Sequence, residues 1–263
     1  MRDIKKAIAN IKKYFNFSIY SAKSELKADV ANSYLSWIWW ILEPICMMLV
    51  YIFVVEIVFK TQEAKFPVFV YIGLLAWEFF SKMVSCSSRL MSSNKSIITK
   101  VYIPKYIILL SRSFTYLFKM MISLGIVIIL MVCFKVTFSV YLLLFIPIFG
   151  VLYIITLGVC LIIMNYGVYI QDLANVMTII LKLASYISGI FYNIETRLPA
   201  PFNKILLDCN PVAFIMQSLR EITIYQVMPN FFVLGIWFII GVALCIIGIK
   251  LIHKYENSYA KVL

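Results

Sequence analysis

Apolar blocks of about twenty residues recur from Trp37 to Ile252, separated by short stretches rich in lysine and arginine. A bilayer core is roughly 30 Å thick and a helix rises about 1.5 Å per residue, so each block can cross as one helix. Backbone amides inside a bilayer find no water, and a helix satisfies them within its own segment. Of the 263 residues, 63% are hydrophobic and only 14% charged, far from the balance of a soluble chain. The expected fold is an all-α polytopic membrane protein with six transmembrane helices, over residues 37–59, 67–90, 113–134, 141–164, 174–194 and 231–252. That length suits a single membrane domain without a second sizeable soluble one.

The flanks follow from patterning. Ile4, Ile8, Ile11, Phe15 and Ile19 recur at steps of three or four, while Arg2, Lys5, Lys6, Lys12 and Lys13 take other faces. This is an N-terminal amphipathic helix suited to the headgroup plane. Those lysines also interrupt any secretory signal pattern, so the first span is expected to start insertion. The chain then divides into a segment 1–36 with this helix, a six-span domain 37–252 and a tail 253–263. Lysine and arginine number sixteen in 1–36, 82–112 and 250–263, against six in the alternate loops, which puts both termini in the cytoplasm. The apolar but proline-containing stretch 195–230 is too broken to span and predicts one or two short re-entrant or interfacial helices on the outer side.

The net charge of +12 is spread through loops between spans rather than gathered on one basic face, which argues against nucleic acid. Inside the spans stand Glu43, Glu56, Glu78, Lys82, Lys119 and Lys182. A charge at the bilayer centre costs about 2.5–3.5 kcal/mol on insertion scales, so each is expected to have a partner or water. Glu78 and Lys82 stand four apart with the acid first, the favourable order on a helix. Pairing between helices and a place in a transport path both stay open for these groups. Pro44 and Pro147 fall within spans one and four and predict kinks. Trp37, Trp39 and Trp40 fit an interfacial belt, and Tyr51, Trp77, Phe79 and Phe80 lie deeper, in packing or along a channel wall.

Six cysteines occur at 46, 86, 133, 160, 209 and 245 without a CxxC pair and read as small buried hydrophobes. His253, near the C-terminal end, is the one histidine, which argues strongly against a histidine triad or a multi-histidine metal site. The chain has no GxxxxGK[ST], HExxH or GxSxG. No catalytic, cofactor or metal residue is therefore assigned, and any ATP hydrolysis belongs to another chain. The acid-free basic loop 82–112 and the basic N-terminal helix are natural docking surfaces for it.

A series of short motifs adds to this. Leu26-Lys27, Ser33-Tyr34-Leu35-Ser36-Trp37-Ile38-Trp39 and Leu42-Glu43-Pro44 lead into the first span. Phe66-Pro67 and Gly73-Leu74-Leu75-Ala76-Trp77-Glu78-Phe79-Phe80 form the second, and Asn94 with Ile97 to Lys105 forms the loop after it. Asp172, Ser188-Gly189-Ile190-Phe191-Tyr192 and Asn210-Pro211 follow. In order and spacing the series resembles the membrane subunit of ABC-2 type exporters for polysaccharides (O-antigen, capsule) and teichoic acids, over residues 26–255. Ser36 stands where that family has glycine, and Asp29-Val30 where it has a basic–aromatic pair.

The resemblance implies a homodimer in a bacterial cytoplasmic membrane, bound to a separate ABC ATPase subunit that carries ATP and Mg2+. The cargo it implies is a glycan or polyol-phosphate polymer on a polyprenyl diphosphate. Residues Asn94, Lys95, Lys100, Val101, Tyr102, Pro104 and Lys105 match the family's region of contact with the ATPase. Lys27, Trp37, Trp40, Tyr51, Trp77, Phe80, Arg112 and Lys119 are candidates for the channel or its entrance. Two other readings of the residues stay open: an ABC-2 exporter of a small molecule, drug or lipid, and a proton-coupled carrier using Glu43, Glu56 or Lys182. A membrane enzyme acting on polyprenyl-linked sugars fits the twelve scattered acids least.

Overall fold

The computed structural model describes residues 2–31, 35–60, 63–100 and 103–262. All regular structure among them is helical. Helix α1 (Arg2–Ala31) precedes α2 (Ser36–Ile52), which runs on as a π-helical turn (Phe53–Val58). Helices α3 (Phe66–Ser93), α4 (Lys95–Lys100) and α5 (Lys105–Cys133) follow, then α6 (Phe145–Tyr166) after a 3-10 turn (Val140–Leu144). Next are α7 (Leu173–Ile187), α8 (Ile194–Arg197), α9 (Phe202–Cys209) and α10 (Pro211–Arg220), the last ending in a π turn (Glu221–Tyr225). Helix α11 (Phe231–Val262) closes the chain.

Five of these segments are long and apolar enough to cross a membrane: Trp37–Val58, Phe66–Ser93, Lys105–Cys133, Val140–Tyr166 and Phe231–Glu256. The expected fifth span, 174–194, is shorter than the sequence suggested. Its helix, α7, has fifteen residues, about 22 Å at 1.5 Å each and short of a 30 Å core. It stops because Gly189 takes a left-handed φ of +71°, and the carbonyls of Gly189 and Ile190 face a side chain instead of a further turn. The stretch 195–230 holds three short helices and a π turn rather than one or two.

Helix α3 is the centre of the bundle, buried almost without interruption from Phe66 to Trp77. Around it pack α2, α5, α6, α7 and α10. Pro44 and Met48 of α2 and Val55 of the π turn are buried along one stripe, while Trp39, Leu49, Val50 and Phe53 stay exposed. Pro44 lies inside α2, but Pro147 is the third residue of α6. In a first turn the missing N–H is not needed, so the kink expected there has no cause. Helices α6 and α11 form the most intimate pair. A Cβ on Gly158 would lie 2.6 Å from Leu244 Cβ and 2.9 Å from the Cys245 nitrogen, and one on Gly248 2.5 Å from Leu161 Cβ. Small residues let two backbones approach this closely.

Helix α1 departs from the expected picture in an instructive way. Ala7, Ser18 and Ala22 are buried and Ile11 and Tyr14 partly so, whereas Ile8, Phe15 and Ile19 are exposed. The inward face is thus made of small and polar residues against α5, and the large apolar residues are left for the bilayer. Asn10 donates to the Tyr106 hydroxyl at 2.8 Å, Tyr106 packs edge-on to His253, and Tyr259 donates to Asn165. Both terminal helices, α4 and the α6–α7 turn therefore share one end of the bundle. At the other end Lys65 donates to the Lys135 carbonyl at 3.0 Å and Gln226 to that of Thr137 at 3.2 Å.

The six cysteines are free thiols, but only Cys160 is fully buried; Cys46, Cys133 and Cys209 are exposed on the protein surface. A thiol is apolar enough to face lipid as readily as a core, which corrects the uniform burial expected of them.

Candidate functional site

Three clusters carry the polar chemistry. The first lies among α1, α2, α3 and α5. Lys82 donates to Glu43 at 3.0 Å and to Glu78 at 3.1 Å, so one ammonium serves two carboxylates from two helices. Lys119 donates to Asp29 at 2.8 Å and lies 4.8 Å from the centre of the Trp40 ring. Arg112 pairs with Glu25, which also accepts from the Thr115 hydroxyl at 3.1 Å. The intramembrane charges of spans one to three are partnered, except Glu56, which has no ion pair among the described residues. Glu43, Glu78, Lys82 and Lys119 border a cavity of about 260 Å³, lined also by Trp40, Tyr71 and Tyr116 among others. Tyr71 keeps a buried hydroxyl without a partner there. A buried polar atom of this kind marks a cavity suited to water or a hydroxyl group.

The second cluster is the loop between α3 and α5. Asn94 closes α3 by donating to the Leu90 carbonyl at 2.8 Å and to Ser93 at 3.2 Å. Helix α4 follows at once; Ile98 and Ile103 are buried beneath it, and Lys95 and Lys100 are exposed. Pro104 is the N-cap of α5 and is buried. Lys105 is buried too, its ammonium 3.4 Å from the Ile103 carbonyl. A docking role is thus open to Lys95 and Lys100, whereas Pro104 and Lys105 shape the loop from within. Val101 and Tyr102 lie outside the described residues, as do Ser33 and Tyr34 of the motif before span one.

The third cluster lies at the opposite end and centres on Arg220. This guanidinium is 2% exposed and donates to the carbonyls of Phe69 at 3.2 Å, Gly189 at 2.9 Å and Ile190 at 2.7 Å. It also lies 3.5 Å from the centre of the Phe69 ring. Carbonyl dipoles and a ring face together offset the loss of water around a buried cation. A Cβ on Gly73 would lie 2.5 Å from the Arg220 Nη2, so this glycine makes room for it. Asn210 accepts from the Val212 and Ala213 amides at 3.1 and 3.2 Å and donates to Ser188 at 3.0 Å. With Pro211 at the first turn, this is a strong helix start. Burial, and then the charge of Glu195, raise the Glu221 carboxyl to about 7.

The candidate channel residues are dispersed by the fold. Trp40 and Lys119 meet at the cavity, and Lys27 and Trp40 line a trough beside α1. Arg112 is held by Glu25, and Trp37 is exposed. Tyr51 stacks on Phe191 with ring centres 5.2 Å apart, while Trp77 and Phe80 face α7 in a groove of about 330 Å³. Lys182 is exposed on α7. The sequence reading missed Glu25, Asp29, Tyr71, Tyr116 and Arg220. A usable signal existed: Glu25 and Asp29 are four apart on α1, and Arg112 and Lys119 are seven apart on α5, each set along one helix face.

No family model matches the chain. Three curated relatives do. The O-antigen export system permease protein RfbA of Klebsiella pneumoniae is 23% identical over 255 residues, covering 97% of each chain. A second protein of that name and species is 24% identical over the same shares. RfbA of Myxococcus xanthus is 25% identical over 223 residues, covering 85% of this chain and 86% of its own. The motif series and an alignment running nearly end to end agree: the chain is similar to these O-antigen export permeases.

Proposed function

We propose that this chain is the membrane subunit of an ATP-driven exporter that moves a polyprenyl-diphosphate-linked polysaccharide outward across the bacterial cytoplasmic membrane. The observation that carries the reading is the full-length likeness to permeases named for O-antigen export. A teichoic acid remains within the same cargo class. In this reading two copies of the chain enclose the path, and α7 with the turn at 188–194 makes a sixth crossing. The bundle end that holds α1, α4 and the C-terminus of α11 is cytoplasmic, in keeping with its excess of lysine and arginine. A separate ATPase, with its ATP and Mg2+, docks there against α4. Lys100 is exposed on that helix and offers a positive contact.

The test is purification of the chain from its native membrane in mild detergent, with its partners identified by mass spectrometry. A near-equimolar P-loop ATPase is expected, and Lys100→Glu is expected to release it while export falls. Recovery of the intact protein without any ATPase, together with transport driven by a proton gradient alone, would overturn the proposal.

A further inference from the structure

Outside the clusters above, a concave apolar trough of about 900 Å³ runs between α1, α5 and the start of α2. Ile19, Leu26 and Val30 form one wall, Phe114 and Phe118 the other, and Trp40 closes it. From Ile19 to Val30 it follows three turns of α1, roughly 16 Å, close to half the thickness of a bilayer core. Lys23 and Lys27 stand one helical turn apart on its rim. Both are exposed, and neither has an ion pair among the described residues. The acids of the same helix do not neutralise them, because Glu25 and Asp29 are taken by Arg112 and Lys119.

We propose that this trough is a binding site for an anionic phospholipid of the bilayer, with one acyl chain along the trough and the phosphate between Lys23 and Lys27. Three observations converge on that occupant. The wall is apolar and concave, so an acyl chain fills space that would otherwise lack contacts. Ile8, Phe15, Ile19 and Val30, four of the exposed apolar residues of α1, share the side of the helix that borders the trough and suit it to lipid. The rim carries two unneutralised cations, and an anionic headgroup supplies the missing charge. The bound lipid fastens α1 to α5 beside the ion pairs that already join them. The inference needs only that the protein lies in a membrane and is independent of what the protein transports.

The test uses the full-length protein in detergent, titrated with phosphatidylglycerol or with phosphatidylcholine, the retained lipid being counted by native mass spectrometry. One phosphatidylglycerol per chain is expected, held roughly thirtyfold more tightly than phosphatidylcholine, as two basic side chains beside an anionic group would give. The double variant Lys23→Gln/Lys27→Gln is expected to bring the two lipids level. Val30→Trp fills the trough from an exposed position and is expected to abolish retention of both. An unchanged melting temperature of the glutamine variant in lipid-free detergent shows that it is folded. Equal retention of the two lipids by the unaltered protein overturns the proposal. So does full retention by Val30→Trp, or displacement of the phospholipid by an equal concentration of polyprenyl phosphate, which would assign the trough to a lipid-linked cargo.

Discussion

Replacing Arg220 with leucine removes a cation that joins three separate parts of the chain: Phe69 in α3, the turn at Gly189–Ile190, and α10 itself. Hydrogen bonds from a charged donor contribute about 1.5–3 kcal/mol each. Three of them sum to roughly 4.5–9 kcal/mol, and the burial cost of the guanidinium, several kcal/mol, is recovered when it is removed. The carbonyls left behind then lose their donor in a dry site. A net loss of about 3 kcal/mol remains, felt locally because the clamp holds α10 and the turn at 189–190 to α3. Hydrogen exchange in detergent reads this directly: amides of 190–193 and α10 should exchange roughly a hundredfold faster, with α6 and α11 unchanged. A second variant ties the effect to geometry. In Gly73→Ala the new methyl meets the guanidinium at 2.5 Å and should loosen the same amides, but it should add little once Arg220→Leu is present. Unchanged exchange in Arg220→Leu, or simple additivity of the two substitutions, would refute the clamp.

Two further outcomes follow from the other clusters. The Asp29–Lys119 pair is partly exposed, 39% and 26% by side chain, so a double-mutant cycle with Asp29→Asn and Lys119→Met should give only about 1 kcal/mol of coupling, read as thermal stability in detergent; no coupling would mean the pair does not hold α1 on α5. Glu221, raised from 4.5 to about 7 by burial and Glu195, binds more protons in the fold than in the unfolded chain between those values. Stability must therefore fall as pH rises from about 4.5 to 7, and a pH series of melting temperatures in which Glu221→Gln behaves like the parent protein would contradict it.

Hydropathy was enough to place the long crossings because their length and apolarity are local properties of the chain. The fifth block, 174–194, misled for a physical reason: residues 188–194 are apolar, but they form a turn whose carbonyls are claimed by Arg220, thirty residues on. Composition carries no trace of that contact. The loop between α3 and α5 was legible as an Asn-to-Pro segment, yet the burial of Lys105 depends on how α4 folds over it, and a lysine in a basic loop reads as solvated. The surroundings of the candidate channel residues were least legible. Aromatics such as Trp40, Tyr51 and Trp77 are alike in sequence, and only packing sends them to three different surfaces. The motifs gained a structural meaning in return. Gly73, Ser188, Gly189 and Asn210-Pro211, scattered over 139 positions, meet at one end of the bundle around Arg220 and the start of α10.

The glycine seam between α6 and α11 has a bearing on movement. Backbones in direct contact cannot slide without the Leu244 or Leu161 side chain colliding with the opposing chain, so the two helices must travel as one rod. Helix α11 alone is about 48 Å long, which carries that rod well past the hydrocarbon region at the end where Tyr259 meets Asn165. A push delivered there is carried along the pair toward the far side, while α7, which packs mainly on α3, is left as the part freest to swing.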